Sequence, residues 1–156
     1  MSVGDEDHVR PAVLAEGRLD LWRIAMKPGR PLAYGGVRRP AGGEADFIGL
    51  PGNPVSSFVT FVLFVRPFVL RLQGVSAVEP RSFAMRADFD WPKPDARREF
   101  LRVKSNAGGG LDLFPNQSSG VLTSTVWGDG LVDNPAKHAI ARGDTVRFLP
   151  FAELLH

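Results

Sequence analysis

The sequence predicts an α/β segment followed by a small all-β, barrel-like domain. Up to residue 74, strand-like apolar runs alternate with helix-forming stretches. From residue 75 onward, short strand-like runs recur between Gly-, Asn- and Pro-rich turns, the pattern of a small sandwich or barrel. Between the two lies a long apolar helix that stops at Gln73-Gly74, with glycine in the expected C-terminal position.

Taken in order, Asp5-Glu6-Asp7 offers a cap and acidic first-turn residues for a helix reaching about Ala15. Pro11 is tolerated there because N–H groups of the first turn have no helical partner. Residues 19–25, 31–35 and 45–50 have strand character, and Arg38-Arg39-Pro40-Ala41-Gly42-Gly43 is the turn between the last two. The apolar helix begins at Pro54 and runs to about Leu72, with Pro67 expected to kink or restart it. Strands are then expected at 82–88, 99–104, 111–114, 120–125, 131–132 and 145–149. Trp91 and Trp127 are expected to pack in the barrel. The boundary between the two parts falls near residues 74–80.

Composition narrows the function. The chain has 156 residues, 44% hydrophobic and 23% charged, as expected of a soluble globular protein. With no cysteine, disulfides, thiolate zinc sites and cysteine nucleophiles are excluded. Absence of cysteine fits a cytoplasmic protein, and the first residues show no signal-peptide pattern. The eleven residues 55–65, which include Ser56, Ser57 and Thr60, fall short of the roughly 20 that span a bilayer, so the helix is expected to be buried on most faces and no membrane role follows. The net charge is +2, with nine basic and seven acidic side chains in residues 1–74 and ten of each in 75–156. That excess is too small and scattered for a nucleic-acid face. His8, His138 and His156 form no metal-ligand pattern and are expected to face solvent.

Two turns point to a small anionic ligand. In Phe47-Ile48-Gly49-Leu50-Pro51-Gly52-Asn53-Pro54-Val55-Ser56-Ser57 a strand-like run stops at a turn and a helix starts directly behind it. That arrangement gathers free N–H groups, a helix dipole and small hydroxyls, a seat for phosphate or a similar oxyanion. Upstream, Lys27-Pro28-Gly29-Arg30-Pro31 is a rigid turn carrying two cations. Pro, Gly and Asn also favour turns for backbone reasons alone; the paired cationic turn is what favours a ligand. The α/β part has too few strands to cover its apolar helix, and its strands look buried on both faces. The chain is therefore expected to be part of a larger domain or to pair with another chain.

Three motifs then carry a resemblance. Ser2-Val3-Gly4-Asp5 with Asp7, the run Trp22-Arg23-Ile24-Ala25-Met26-Lys27-Pro28-Gly29-Arg30-Pro31-Leu32-Ala33-Tyr34-Gly35, and Gly49-Leu50-Pro51-Gly52-Asn53-Pro54-Val55-Ser56 resemble, in order and spacing, the molybdopterin molybdenumtransferases of the MoeA/gephyrin E-domain family. The resemblance covers essentially the whole chain but only the C-terminal portion of the family's usual length. It implies that residues 1–74 are the C-terminal half of a three-layer α/β molybdopterin-binding domain and residues 75–156 the family's β-barrel domain. It also implies insertion of molybdate into adenylylated molybdopterin with release of AMP, assisted by Mg²⁺, in a homodimer whose cleft lies between subunits. A truncated chain alone is expected to be inactive and to bind weakly; the alternative is a non-catalytic fragment serving for binding or dimerisation.

Residue by residue, the resemblance makes Asp7 a catalytic acid that helps hold Mg²⁺ or molybdate, and Lys27 the cation that neutralises the pterin phosphate or oxyanion. A solvated helix-start acid and a solvated loop lysine are the plain alternatives. Arg23 and Arg30 stand where members commonly have lysine, which keeps charge but changes geometry. Pro51, Gly52, Asn53, Pro54 and Ser56 form the turn that binds substrate. In the barrel, Arg102 and Ser119 match cleft positions, although the family places Gly-Ser where this chain has Ser118-Ser119.

Overall fold

The computed structural model describes residues 8–155. Helix α1 (Val9–Glu16) buries only Val13 and leads into β1 (Gly17–Leu21). The Asp5-Glu6-Asp7 cap expected for it lies outside the described residues. β1 pairs antiparallel with β3 (Ala33–Arg38), which pairs antiparallel with β4 (Glu44–Gly49). Residues of β1 and β4 are mostly exposed or half-buried, so the expected burial of this sheet on both faces does not hold within this chain. The strand expected over 19–25 is also shorter. It ends at Leu21, and the chain crosses to the other half, where β2 (Met26–Lys27) lies parallel to β6 (Arg98–Ser105).

The apolar helix runs over Pro54–Leu72 in three parts: α2 (Pro54–Thr60), one π-helical turn (Phe61–Val65) and α3 (Arg66–Leu72). The Arg66 N–H bonds back to Phe61 O, five residues earlier, so the ladder widens just ahead of Pro67 and the helix restarts. Proline lacks the N–H that an α-helical ladder needs there, and the wide turn accommodates that loss. Burial on most faces is not observed: Val55, Ser56, Val59, Thr60 and Val62 are buried, while Phe61, Phe64, Val69 and Leu72 are exposed. The 19-residue helix, unlike the eleven residues singled out in the sequence, is long and apolar enough to cross a membrane by length and composition alone. In this fold one of its faces is held by the barrel.

That barrel comprises β5 (Phe83–Ala87), β6, β7 (Gly110–Leu113), β8 (Gly130–Asn134) and β9 (Thr145–Pro150). Pairing runs β6-β7-β5-β9-β8, and β8 returns to β6 to close a five-stranded barrel. Side chains alternate across each strand, which divides two cores. Leu101, Val103, Val132, Val146 and Phe148 fill the interior. Phe100, Leu131 and Leu149 face outward and pack with Met26, Val55, Val59 and Val62. Trp91 packs against the interior core, as expected, whereas Trp127 lies against Phe114, half-buried outside it.

Two further elements, both in the C-terminal part, differ from the sequence expectation. Residues 120–125 form no strand; they turn into a short helix, α4 (Thr123–Trp127). Hydroxyls of Ser124 and Thr125 bond to the carbonyls of Val121 and Leu122, competing locally with strand geometry, and β6 already has its partners. A final helix, α5 (Phe151–Leu155), follows β9 directly and buries Leu154 in the outer core, with Phe151 edge-on to Phe58.

Because the outer core is shared by helix and barrel, truncating it should weaken both together. Leu131 is fully buried there. Leu131→Ala is expected to cost about 2–5 kcal/mol, read as a lower urea midpoint in one cooperative transition. Two separate transitions, or a negligible loss, would contradict a shared core.

Candidate functional site

Both turns singled out in the sequence meet at one open cleft of about 500 Å³ between the α/β segment and the barrel. Lys27, Pro28, Gly29, Arg30 and Pro31 line one side; Pro51, Gly52, Asn53 and Ser56 line another; Ser119 closes the third. Arg23 is exposed and lies outside the cleft lining, as does Pro54, which opens the helix. Asp7 lies outside the described residues.

Gly29 lets the first turn rest on the helix. Its φ is +115°, and a Cβ there would stand 2.5 Å from Thr60 Cγ2, so only glycine fits without displacement. Behind Pro51-Gly52, Asn53 takes an extended backbone and starts α2. Its side chain does not cap the helix; Nδ2 donates to Ser119 Oγ at 3.0 Å. The Val55 N–H donates to Ser119 O at 3.1 Å, so a barrel loop satisfies part of the helix N-terminus. The Ser57 hydroxyl bonds back to Pro51 O and locks the turn.

That barrel loop is itself fixed from below. Gln117 Nε2 donates to the carbonyls of Arg102 and Phe114, and its Oε1 accepts from the Arg102 N–H. Arg102 is 1% exposed and lies beneath the cleft rather than in its lining. Its guanidinium donates to Ser124 Oγ, Phe100 O and Ser118 O, with no carboxylate partner among the described residues. Burial pushes its pKa down to about 10, so it remains a cation at neutral pH.

Part of the electrostatics of the cleft comes from residues that the sequence motifs left out. Arg97 lines it, as do Gln117 and Ser118. Arg97 grips Asp95 in a bidentate pair, 2.9 Å for both contacts. That pair holds the Asp95 carboxyl well below its ordinary range, against the opposing effect of desolvation. Lys27 Nζ lies 3.4 Å from Asp95 Oδ2 and 3.4 Å from Glu99 Oε1. Three cations, Lys27, Arg30 and Arg97, thus stand against two carboxylates, which leaves the cleft positive. Strand alternation would have placed Glu99 on the inner face with Leu101 and Val103. Asp95 and Arg97 sit in an irregular loop, where no period could mark them.

The arrangement suits an oxyanion better than a divalent cation. Among the described residues no group of three or more His, Asp or Glu side chains could hold a metal. Asp95 and Glu99 are occupied by Lys27, Arg97 and Trp91, so the described part of the cleft does not fit Mg²⁺.

Comparison with known proteins agrees with the motifs. A family model described as a probable molybdopterin binding domain matches residues 1–71. A second, described as the MoeA C-terminal region (domain IV), matches residues 84–151. The molybdopterin molybdenumtransferase of Haemophilus influenzae is 32% identical across 99% of this chain and 39% of its own length. The molybdenum cofactor synthesis protein cinnamon of Drosophila melanogaster is 32% identical across 88% of this chain and 23% of its own. Among solved structures, a molybdopterin biosynthesis moea protein from Pyrococcus horikosii superposes with a TM-score of 0.72 at 27% identity, covering 91% of this chain and 34% of that one. The chain spans well under half the length of each of these relatives.

The Asp95 pair carries a pH signature. A carboxyl whose pKa is depressed in the folded state adds stability above its unfolded pKa, and that stability is lost as pH falls toward the folded value. Asp95→Asn should therefore lower the thermal midpoint at pH 7, with the gap to wild type narrowing below about pH 4. A gap unchanged between neutral and strongly acidic pH would contradict the pairing.

Proposed function

Since the chain belongs to the MoeA/gephyrin E-domain family, of which it carries a molybdopterin-binding segment and the C-terminal region, we propose that it serves molybdenum cofactor biosynthesis by binding adenylylated molybdopterin at the cleft. The reaction is insertion of molybdate, as substrate, at the pterin dithiolene, coupled to phosphoanhydride cleavage with AMP as leaving group. The observation that carries this reading is the meeting of Lys27, Arg30 and the Pro51–Ser56 turn at one positive cleft.

The residues of this chain contribute binding and electrostatics. Lys27 and Arg30 counter phosphate charge before and during departure of AMP, and Lys27, already paired with Asp95 and Glu99, needs little reorganisation to do so. A lysine acts as a compact point charge, and the arginine offers a planar fork to two oxygens. Asn53 and Ser56 bring the start of the Pro54–Leu72 helix to the same cleft, where the helix dipole favours an anion. Asn53 and Ser119, bonded to each other, form a polar rim that orients the ligand. Arg102 and Gln117 hold that rim rather than reach the cleft.

Phe61, Phe64, Val69 and Leu72, left exposed on the helix, support the reading that further protein packs on it, from a larger domain or a second chain of a homodimer that also completes the cleft. The chain by itself then binds its ligand weakly. Lys27→Ala is expected to weaken binding of molybdopterin by about tenfold or more, the scale of one charge-assisted contact. Arg23→Ala, outside the cleft lining, should change it little. Titration of pterin fluorescence reads both, and equal affinity for wild type and Lys27→Ala would overturn the assignment.

A further inference from the structure

Lys27 is held by groups that do not depend on it. The parallel pairing of β2 with β6 sets Lys27 beside Glu99. Glu99 is 1% exposed, and its two oxygens have separate tasks. Oε2 accepts from the Trp91 indole at 2.8 Å and from the Asp95 N–H at 3.1 Å, which fixes the carboxylate from the barrel side. Oε1 faces the Lys27 ammonium. Asp95, the second acid at the ammonium, is fixed independently by Arg97. The lysine side chain is 43% exposed on a flexible stem, and these two carboxylates are its only ion-pair partners among the described residues.

We propose that Glu99 is a positioning residue for ligand binding: its buried carboxylate holds the Lys27 ammonium at the cleft wall, leaving a third N–H donor for a phosphate-type oxyanion. The ligand named here rests on the molybdopterin reading above; the lysine geometry does not. A carboxylate beside an anion seat opposes the anion by Coulomb repulsion, so a cleft built for charge alone would exclude it. Its gain is order, because a lysine already fixed in one rotamer loses little freedom when the ligand arrives. A buried carboxylate is tolerable only when hydrogen-bonded, and the indole and the N–H meet that condition before the lysine is counted.

The proposal predicts an effect opposite in sign to simple charge removal. Glu99→Gln keeps the shape and removes a negative charge, which by charge alone would tighten anion binding. It is expected instead to weaken molybdopterin binding by roughly 3–10-fold, and to have no effect in a Lys27→Met background. Tighter or unchanged binding, or an equal loss in the Lys27→Met background, overturns the proposal. A second arm uses no ligand: lysine acetylation by acetic anhydride, followed by peptide mass spectrometry. Glu99→Gln should speed acetylation of Lys27 several-fold while leaving Lys93, Lys104 and Lys137 unchanged; an unchanged Lys27 rate overturns it. Should wild type fail to bind molybdopterin, the proposed function falls and the acetylation arm still decides the role of Glu99. If Glu99→Gln unfolds, seen as all four lysines accelerating together, relaxation of the ¹⁵Nζ groups of folded wild type decides. Lys27 should be the most restricted ammonium, and mobility equal to the other three overturns the proposal.

Discussion

A two-residue strand joins the halves of this molecule. Met26 and Lys27 pair with Arg98 and Glu99, so the α/β segment contributes an edge to the barrel sheet. From that pairing follow the site of the Lys-Pro-Gly turn, the contact of Gly29 with Thr60 and the approach of Lys27 to Glu99. The outer core strengthens the join, with Val55 and Val59 against Phe100, Leu131 and Leu149. A barrel carbonyl, Ser119 O, then receives the first-turn N–H of Val55. The cleft is what remains between two parts that touch through strand, core and cap.

Within it, charge and order are balanced against each other. Three cations would repel one another if unpaired, and Asp95 and Glu99 relieve that repulsion without cancelling the positive excess. Pairs of this kind contribute little when exposed. Here burial of Glu99 and the bidentate Arg97–Asp95 fork give them defined geometry, which matters more to a binding site than their energy. Arg102 follows the same logic one layer down, a buried cation bonded to neutral oxygens that holds the 117–119 loop in place.

Much of this was legible in the sequence, for physical reasons that can be named. The order of α/β segment, long helix and barrel follows from period and turn residues, and the Lys27 and Pro51–Ser56 motifs mark the two turns that line the cleft. Residues 120–125 were not legible as a helix. Their β-branched Val121, Thr123 and Thr125 suggest a strand, and only closure of the barrel by β8 removes the partner such a strand would need. β2 was hidden because two residues carry no period. Asp95 and Glu99 were missed because their role depends on a long-range contact with Lys27, and Arg97 because its local pair with Asp95 sits in an irregular loop. The exposed side of the Pro54–Leu72 helix departs from the burial its composition implies, and within this chain nothing covers it among the described residues.

The central claim is that a phosphate-bearing pterin sits where the two turns meet. A crystal structure of the chain with molybdopterin bound tests it most directly. The account predicts the phosphate within hydrogen-bonding distance of Lys27 Nζ, against the Pro51–Ser56 turn, with Lys27 still in contact with Glu99. A pterin phosphate bound elsewhere, with the cleft holding only solvent, would contradict it.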